Sequence, residues 1–358
     1  MDIWKDILAA LSGVLNGLPQ GLLALSFGFA SIPTALAFIV GAVGNAATNN
    51  VAVVSYQAET ITLAGTMGKS MRERISMIFW GAVILLIIGF FGVLEGIVSW
   101  IGPVILAGMM AGVGIMLTKV AWDMAKSDKI IGAVSMVSAL LIWFATQDLV
   151  YTVTISVILS SIVYYFVNKN GENESKTVAS SIKEGFNFHK PIFNISVFRG
   201  ALALVMMNIG ANIAFGNINA DIAQKDVDID VLTIISSLAD IVSSLFGGAP
   251  VEIIISATAS APHAVWSGVL MMALMAIILI TGLLPKIGKY VPTASVAGFL
   301  FVLGAIVTLP GNAITALTGE GAENGVIGAI TMMVTALTDP FIGMLSGVVI
   351  QFLIDLFA

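Results

Sequence analysis

One carboxylate stands within an otherwise apolar stretch, "VAVVSYQAETITLAG" (residues 51–65), where Glu59 follows Tyr56 and Gln57. Side chains of all three types can form hydrogen bonds, and a carboxylate can accept two parallel N–H bonds from the edge of a heterocycle or hold a proton. We predict that they form one half of a binding site, with Glu59 early in a short helix that Ser55 caps. The structural alternative is that Glu59 only balances the positive end of that helix.

A second carboxylate, Glu252, follows Pro250 in "FGGAPVEIIISATASAP" (residues 246–262). If Pro250 opens a helix, Glu252 is its third residue and Ser256 lies one turn further on the same face. We predict that Glu252 and Ser256 form the other half of the site. Two structural alternatives stay open, because a carboxylate at this position caps its own helix and a serine bonds back to its own helix.

Three amides and one aromatic ring follow helical spacing in "MNIGANIAFGNINADIA" (residues 207–223) and share one face: Asn208, Asn212, Phe215 and Asn219. Amides hydrogen-bond a heterocycle and an aromatic ring stacks on it, so we predict that this face lines the cavity. The alternative is that the amides join neighbouring helices by hydrogen bonds.

Two more polar residues lie within apolar segments. Gln20 stands four residues after Asn16, which gives the first segment an equivalent pair unless Pro19 breaks the helix between them. Asp240 is predicted to hold its segment to a backbone or hydroxyl partner. As an acid within an apolar segment it is also a candidate, with the two glutamates, for binding a coupling ion.

The elements that must position these side chains are membrane helices. Of the 358 residues, 58% are hydrophobic and 10% are charged, whereas a soluble domain carries about 25% charged residues. Apolar runs near the ~20 residues that span a bilayer recur along the chain. The sequence has no cysteine, and its two histidines have no second histidine at ligand spacing, which argues against thiolate metal sites and metal hydrolysis.

We expect an all-α polytopic membrane protein with short half-helices in its third and tenth segments. The predicted segments number about fourteen: 6–28, 31–47, 50–66, 76–98, 100–120, 129–146, 149–168, 193–218, 228–246, 250–262, 264–284, 290–309, 322–338 and 340–357.

A polar linker, 169–192, separates residues 1–168 from residues 193–358, with seven segments on each side. An odd number inserts the two halves with opposite orientation, which is the condition for an inverted repeat. "WIGPVILAGMMAGVG" (100–114) resembles "YVPTASVAGFLFVLG" (290–304), and the third segment of each half combines a polar or glycine-rich start with one glutamate. We therefore predict an inverted repeat of seven plus seven segments.

Basic residues predict the orientation, because loops rich in Lys and Arg stay in the cytoplasm. The amino terminus and the loop after segment 8 hold only Lys5 and Lys225. The loops after segments 3, 5, 7 and 11 hold twelve: Lys69, Arg72, Arg74, Lys119, Lys126, Lys129, Lys169, Lys176, Lys183, Lys190, Lys286 and Lys289. Both termini are therefore predicted outside.

The stretch "SLADIVSSLFGGAPVEIIISATASAP" (237–262), with "VPTASVAGFLFVLG" after it, resembles the nucleobase–ascorbate permeases, which transport uracil, xanthine and guanine. The similarity centres on the Ala-Asp pair at Asp240 and the Phe-Gly-Gly-x-Pro turn at 246–250. "GLPQGLLALSFG" (17–28) resembles the sulfate permeases, which share the seven-plus-seven architecture.

The resemblance implies a core and a gate, with substrate held between half-helices 3 and 10. The core would comprise segments 1–4 and 8–11 (about 1–98 and 193–285), and the gate segments 5–7 and 12–14 (about 99–168 and 286–358). The resemblance also implies cytoplasmic termini, opposite to the indication of the basic loops.

In the nucleobase permeases an acid in segment 8 and another in segment 10 clamp the base. The corresponding positions of this chain are Ile213 or Phe215 in segment 8 and Ser256 in segment 10, and none of these residues is acidic.

We predict a secondary active transporter of a small polar solute, first of all a purine or pyrimidine nucleobase, coupled to H⁺ or Na⁺ through Glu59, Glu252 or Asp240 and working by an elevator mechanism. A phosphate-binding loop of the form GxxxxGK[ST] is absent, so an ion gradient is the expected energy source. The alternative prediction is an anion transporter or exchanger of the sulfate-permease type, against which stands the lack of Lys or Arg deep within a segment.

An enzyme is not expected, because no segment carries two deep carboxylates at helical spacing. The expected partners are the small-molecule substrate, the coupling ion and the lipid bilayer, with no nucleic acid, cofactor or metal. Homodimers are common in the resembled family. The expected location is the cell membrane, as a multi-pass protein of a prokaryotic inner membrane.

Overall fold

Helices dominate the computed structural model, which describes residues 2–167, 177–179, 184–318 and 322–357. The elements of the first half are α1 (Asp2–Ser26), α2 (Ser31–Thr48), β1 (Val53–Ser55), α3 (Ala58–Met67), α4 (Met71–Phe90), α5 (Leu94–Ile101), α6 (Pro103–Ser127), α7 (Lys129–Thr146) and α8 (Leu149–Val167).

The second half begins with α9 (Ile195–Ala223), α10 (Ile229–Leu245), β2 (Glu252–Ile254), a 3₁₀ turn (Ala257–Ser260) and α11 (Ala264–Ile280). It continues with α12 (Leu283–Gly288), a second 3₁₀ turn (Thr293–Val296), α13 (Ala297–Val302), a π-helical stretch (Leu303–Thr308), α14 (Leu309–Leu317), α15 (Ala322–Leu337) and α16 (Pro340–Phe357).

The order of elements in one half repeats that of the other. Each half opens with two long helices, a three-residue strand, a short helical piece and a further apolar helix. Within the described ranges, nine helices are long and apolar enough to cross a bilayer, and the shorter helices 264–280 and 323–337 are apolar as well. The predicted all-α polytopic membrane fold is confirmed, with short interrupted pieces at the third and tenth segments.

The two interrupted segments meet through their strands. β1 pairs with β2 in antiparallel register, with Val53 opposite Ile254 and Ser55 opposite Glu252, and all six strand residues are buried. Helices α2 and α11 approach β1 so closely that neither Gly41 nor Gly268 has room for a Cβ beside the strand's valines. The glycines therefore allow a two-stranded ribbon to lie between packed helices.

Two local predictions at these strands are wrong. Glu252 belongs to strand β2, so Pro250 does not open a helix there, and Ser55 ends β1, while Gln57 takes the N-cap position of α3. The run Val-Glu-Ile-Ile-Ile is rich in β-branched residues, which favour strands. Its partner strand lies in the other half of the chain, beyond the reach of any local sequence pattern.

The described residues form two compact units. Unit 1 lies within Met1–Leu94, Asn168–Ala201 and Ala211–Thr293, and unit 2 within Glu95–Val167, Leu202–Gly210 and Ala294–Ala358. The interrupted segments 3 and 10 both belong to unit 1.

Unit 2 has its own apolar cluster, formed by Ile101, Ile105, Met109, Ile327 and Met344. A buried serine joins two of its helices: the Ser135 hydroxyl donates to the Ser295 carbonyl (2.7 Å) and accepts from the Gly298 N–H (2.9 Å). Such polar contacts between helices add to close packing, which holds helices together in lipid.

Several helices carry their own capping residue. The side chains that accept a hydrogen bond from the first turn are Ser70 for α4, Asp128 for α7, Asn194 for α9 and Asp228 for α10. Helix α2 differs, because its N-cap residue is Ala30, which has no capping side chain.

Candidate functional site

Segment 10 passes through unit 1 as extended chain, and lipid offers no partners for its backbone groups. Side chains supply them instead. The Thr34 hydroxyl accepts from the Ala249 N–H (2.9 Å), and the Ser243 hydroxyl donates to the Ala249 carbonyl (2.7 Å). Asp240 Oδ1 accepts from the Val251 N–H (2.7 Å), so the predicted backbone-holding role of Asp240 is confirmed.

Asn219 on α9 continues the backbone pairing beyond the end of β2. Its Nδ2 donates to the Ile254 carbonyl (2.8 Å) and its Oδ1 accepts from the Ser256 N–H (3.1 Å), and the residue is fully buried. We predicted that Asn219 lines a cavity. Instead, both the nitrogen and the oxygen of its amide form hydrogen bonds to the backbone of segment 10 just after strand β2.

Helix α1 presents a row of glycines to the two interrupted segments. A Cβ at Gly13 would lie 3.4 Å from Ser256 Oγ, one at Gly17 would lie 2.9 Å from Ser55 Oγ, and one at Gly21 would lie 2.9 Å from the Tyr56 ring. Their four-residue spacing puts them on one helix face. This face lets segments 3 and 10 approach α1 closely.

Segment 3 places its polar residues around the start of α3. The Tyr56 ring is buried and meets the Phe38 ring edge-on, with centroids 5.4 Å apart. Gln57 is extended (φ −129°) and its side chain does not cap α3. Glu59 is 8% exposed and lies in the first turn of α3, where the sequence predicted it, and among the described residues it forms no ion pair.

Buried polar atoms without a hydrogen-bond partner mark this part of unit 1. They include Ser55 Oγ, Gln57 Oε1 and Asn212 Oδ1. Ser55 faces Glu252 across the ribbon, and opposite residues of an antiparallel pair have Cβ atoms about 4.5–5.5 Å apart on the same face. Because buried polar groups are nearly always paired in folded proteins, such atoms indicate a place for a ligand or water.

Ser256 and Gln20 form local hydrogen bonds. Ser256 Oγ accepts from the Thr258 N–H (3.2 Å) and from the Thr258 hydroxyl (2.8 Å), so Ser256 caps the 3₁₀ turn that follows it rather than bonding back to a helix of its own. Gln20 Nε2 donates to the Asn16 carbonyl (3.4 Å) in α1, which runs unbroken through Pro19.

The remaining predicted residues are spread along α9. Asn212 Nδ2 donates to the Thr233 hydroxyl of α10 (3.2 Å). Phe215 is half-buried, and Asn208 is buried and falls in unit 2. Glu252 is 1% exposed. In the described parts of the chain, no group of three His, Cys, Asp or Glu side chains could hold a metal ion.

Thr34, Ser243 and the glycine face of α1 were missed in the sequence. The glycine spacing is a readable signal, because small residues four apart in a membrane helix mark a close helix contact. Thr34 and Ser243 gave no signal, since a hydroxyl in a membrane helix equally often bonds back to its own helix.

No protein-family profile and no curated protein matches the sequence. Solved structures do resemble the fold. The structure of the murine Solute Carrier 26 family member A9 anion transporter in the inward-facing state superposes with a TM-score of 0.74 at 17% identity, over 99% of this chain and 68% of that chain. A further structure of SLC26A9 gives 0.74 at 15% identity, over 99% of this chain and 65% of that chain.

The transmembrane domain of a cyanobacterium bicarbonate transporter, BicA, superposes with a TM-score of 0.70 at 14% identity, over 97% of this chain and 98% of that domain. The chain therefore has the inverted-repeat fold of these multi-pass membrane proteins and spans about two thirds of the SLC26A9 chains. The resemblance to nucleobase permeases stays a prediction, because the structures of murine SLC26A9 and of BicA are named as those of an anion transporter and a bicarbonate transporter.

Proposed function

We propose that the protein is a secondary membrane transporter of small anions, which corresponds to the alternative prediction from the sequence. The observation that carries the proposal is the start of half-helix α3 inside unit 1, beside the β1–β2 ribbon and the unpartnered Ser55 hydroxyl, which can donate to an anion. A helix start presents N–H donors and a positive dipole end, which together bind anions. The fold shared with anion transporters supports this choice of cargo.

Glu59 gives the proposal a coupling mechanism. Its carboxylate lies in the first turn of the helix whose start would hold the anion. Two like charges about 4 Å apart repel by roughly 4 kcal/mol at an effective dielectric constant of 20. An anion therefore binds best when Glu59 carries a proton, and the anion and the proton move together.

We assign the substrate-binding core of the predicted division to unit 1 and the gate to unit 2. Both interrupted segments and the acids Glu59, Asp240 and Glu252 belong to unit 1. Asp240 holds the segment 10 backbone in this proposal, and Glu252 faces Ser55 as a second candidate for proton binding.

A nucleobase remains the second candidate cargo, on the basis of the carboxylate itself. Glu59 and Gln57 together offer acceptors for two N–H groups of a heterocycle. The two cargoes make opposite demands on Glu59. A neutral base needs the ionised carboxylate, whereas an anion needs that charge removed.

Binding measurements on the Glu59→Gln variant separate the two cargoes. We expect sulfate or chloride, which stay ionised at acidic pH, to raise the thermal unfolding midpoint of the purified wild type more at acidic than at neutral pH. Glu59→Gln should bind the same anion equally at both pH values. At neutral pH it should bind at least tenfold more tightly than wild type, up to the roughly thousandfold that a repulsion of about 4 kcal/mol represents. Glu95→Gln, at an exposed position, is the matched control.

Loss of anion binding in Glu59→Gln would contradict the proposal. Stabilisation of wild type by uracil or xanthine that disappears in the variant would favour the nucleobase instead.

A further inference from the structure

The part of the linker that precedes α9 crosses one end of unit 1 and contacts several of its elements. We call residues 184–192 the clasp. Its backbone is held by four groups of unit 1. The His189 N–H donates to the Leu245 carbonyl (2.8 Å), and the Lys190 carbonyl accepts from the Arg72 guanidinium (3.4 Å). The Ile192 N–H donates to Ser76 Oγ (3.0 Å), and the Ile192 carbonyl accepts from Trp80 Nε1 (2.9 Å). Residues this well anchored belong to unit 1 rather than to a loose connection.

Glu184 makes the most specific contact of the clasp. Its Oε1 accepts from the Ser31 N–H (3.0 Å) and its Oε2 from the Ile32 N–H (2.9 Å), at the first turn of α2. Ala30 gives this helix no cap of its own, so a carboxylate from the linker takes that role. The contact combines two charge-assisted hydrogen bonds with the favourable dipole end of the helix.

The start of α2 in turn fixes the chain that leads into β2. The Ala30 N–H donates to the Gly247 carbonyl (3.0 Å), and Thr34, one turn along α2, accepts from the Ala249 N–H (2.9 Å). Gly247 has φ +87°, a conformation that favours glycine, so the turn needs a glycine at this position.

The clasp also touches the same turn directly. The rings of Phe186 and Phe188 both meet the Phe246 ring edge-on, with centroids 6.1 Å apart in each pair. The clasp therefore reaches residues 245–249 along three routes: through α2, through Phe246, and through the hydrogen bond from the His189 N–H to the Leu245 carbonyl.

We propose that Glu184 is a positioning residue for segment 10: by fixing the start of α2, it sets the turn at 246–249 and through it strand β2 with Glu252. Its effect on transport rests on the proposed function, whereas its effect on the turn does not. Glu184 touches no substrate in this proposal.

Hydrogen exchange tests the positioning role without a transport assay. In Glu184→Gln, which keeps the size of the side chain and loses its charge, we expect amide exchange about tenfold faster than in wild type at 29–36 and also at 246–251. Glu184→Asp, which keeps the charge on a shorter side chain, should restore part of the protection. Faster exchange at 29–36 with no change at 246–251 would reduce Glu184 to a helix cap and overturn the proposal.

Glu73→Gln is the matched control. Glu73 Oε2 accepts from the Lys69 N–H (2.8 Å) at the start of α4, so the variant also removes a carboxylate from a helix start. In Glu73→Gln, faster amide hydrogen exchange should be confined to residues 68–76.

Transport kinetics then connect the turn to the site. Glu184→Gln should raise KM for the transported anion about fivefold or more, with a maximal rate near that of wild type, because segment 10 contributes to binding. An unchanged KM together with faster exchange at 246–251 would contradict a substrate site at segment 10, but it would still support the positioning role of Glu184. An unchanged KM without that exchange would overturn the positioning role.

Discussion

At the residue scale, Asn219 explains how an extended strand can persist within a membrane protein. Its amide donates to the Ile254 carbonyl and accepts from the Ser256 N–H, which are groups that a helix would satisfy internally. Asp240, Ser243 and Thr34 do the same for residues 249–251. Some of the polar residues that the sequence predicted as ligand contacts therefore form hydrogen bonds to the backbone of segment 10 instead.

Replacement of Asn219 tests this role. In Asn219→Ala the Ile254 carbonyl and the Ser256 N–H lose their partner in a buried place, at a cost of about 1–3 kcal/mol for each unsatisfied group. We expect a clearly lower midpoint of thermal unfolding in detergent. Asn217→Ala, two residues away at an exposed position, should change stability by less than about 0.5 kcal/mol. Equal effects of the two variants would show that Asn219 has no special role.

The residue scale also shows what the sequence could reveal. The place of Glu59 in the first turn of α3 and the role of Asp240 follow from local pattern, and both are confirmed. The 3.6-residue period grouped Asn212 with Asn219 correctly on one face. It could not show that Asn219 bonds to a strand, because that strand was not recognised.

At the scale of elements, the glycine face of α1 decides how close segments 3 and 10 come to that helix. Gly17 faces Ser55, and Ser55 lies opposite Glu252 in the ribbon. The sequence predicted short third and tenth segments correctly but gave segment 10 a helix. Strand pairing between the two halves is a long-range contact, so it leaves no periodic signal within either half.

A Cβ at Gly17 tests the close approach. It would lie 2.9 Å from Ser55 Oγ, a distance that real Cβ atoms do not show, so Gly17→Ala should force the Ser55 hydroxyl to move, weaken ligand binding and lower stability by about 1–3 kcal/mol. The double variant Gly17→Ala/Ser55→Ala removes the clashing hydroxyl and should regain most of the stability.

Gly311→Ala is the control for helix propensity. Gly311 lies in α14 and a Cβ there meets nothing within 4 Å, so its replacement should be neutral or stabilising. If Gly17→Ala is equally harmless, or the double variant shows no recovery, the glycine face does not set the approach of segment 3.

At the scale of the whole molecule, the seven-plus-seven arrangement of segments could be predicted because the sequence features that indicate it are distributed along the whole chain. Apolar runs, a central polar linker and the similarity of 100–114 to 290–304 all survive uncertainty at single positions. The order of elements agrees with that arrangement. The placement of both termini outside stays a prediction from the basic loops.

The choice of cargo could not be read in the same way. A buried carboxylate pointed to a base with N–H groups, whereas the fold neighbours are anion transporters. Either cargo is compatible with a buried carboxylate, because an ionised carboxylate binds N–H donors, whereas a protonated one no longer repels an anion. In the proposed mechanism, the protonation of Glu59 is therefore the property that selects the cargo.

Proton movement driven by an anion gradient tests that property most directly. Purified protein is reconstituted into liposomes that contain a pH-sensitive dye, and an inward gradient of bicarbonate, sulfate or chloride is imposed with the membrane potential clamped. Bicarbonate is paired with a control for passive carbon dioxide. We predict that one anion acidifies the lumen through the wild-type protein, and that Glu59→Gln carries the same anion without acidification. An anion flux with no proton movement in wild type, or a lumen acidified by uracil and by none of the anions, would contradict the account.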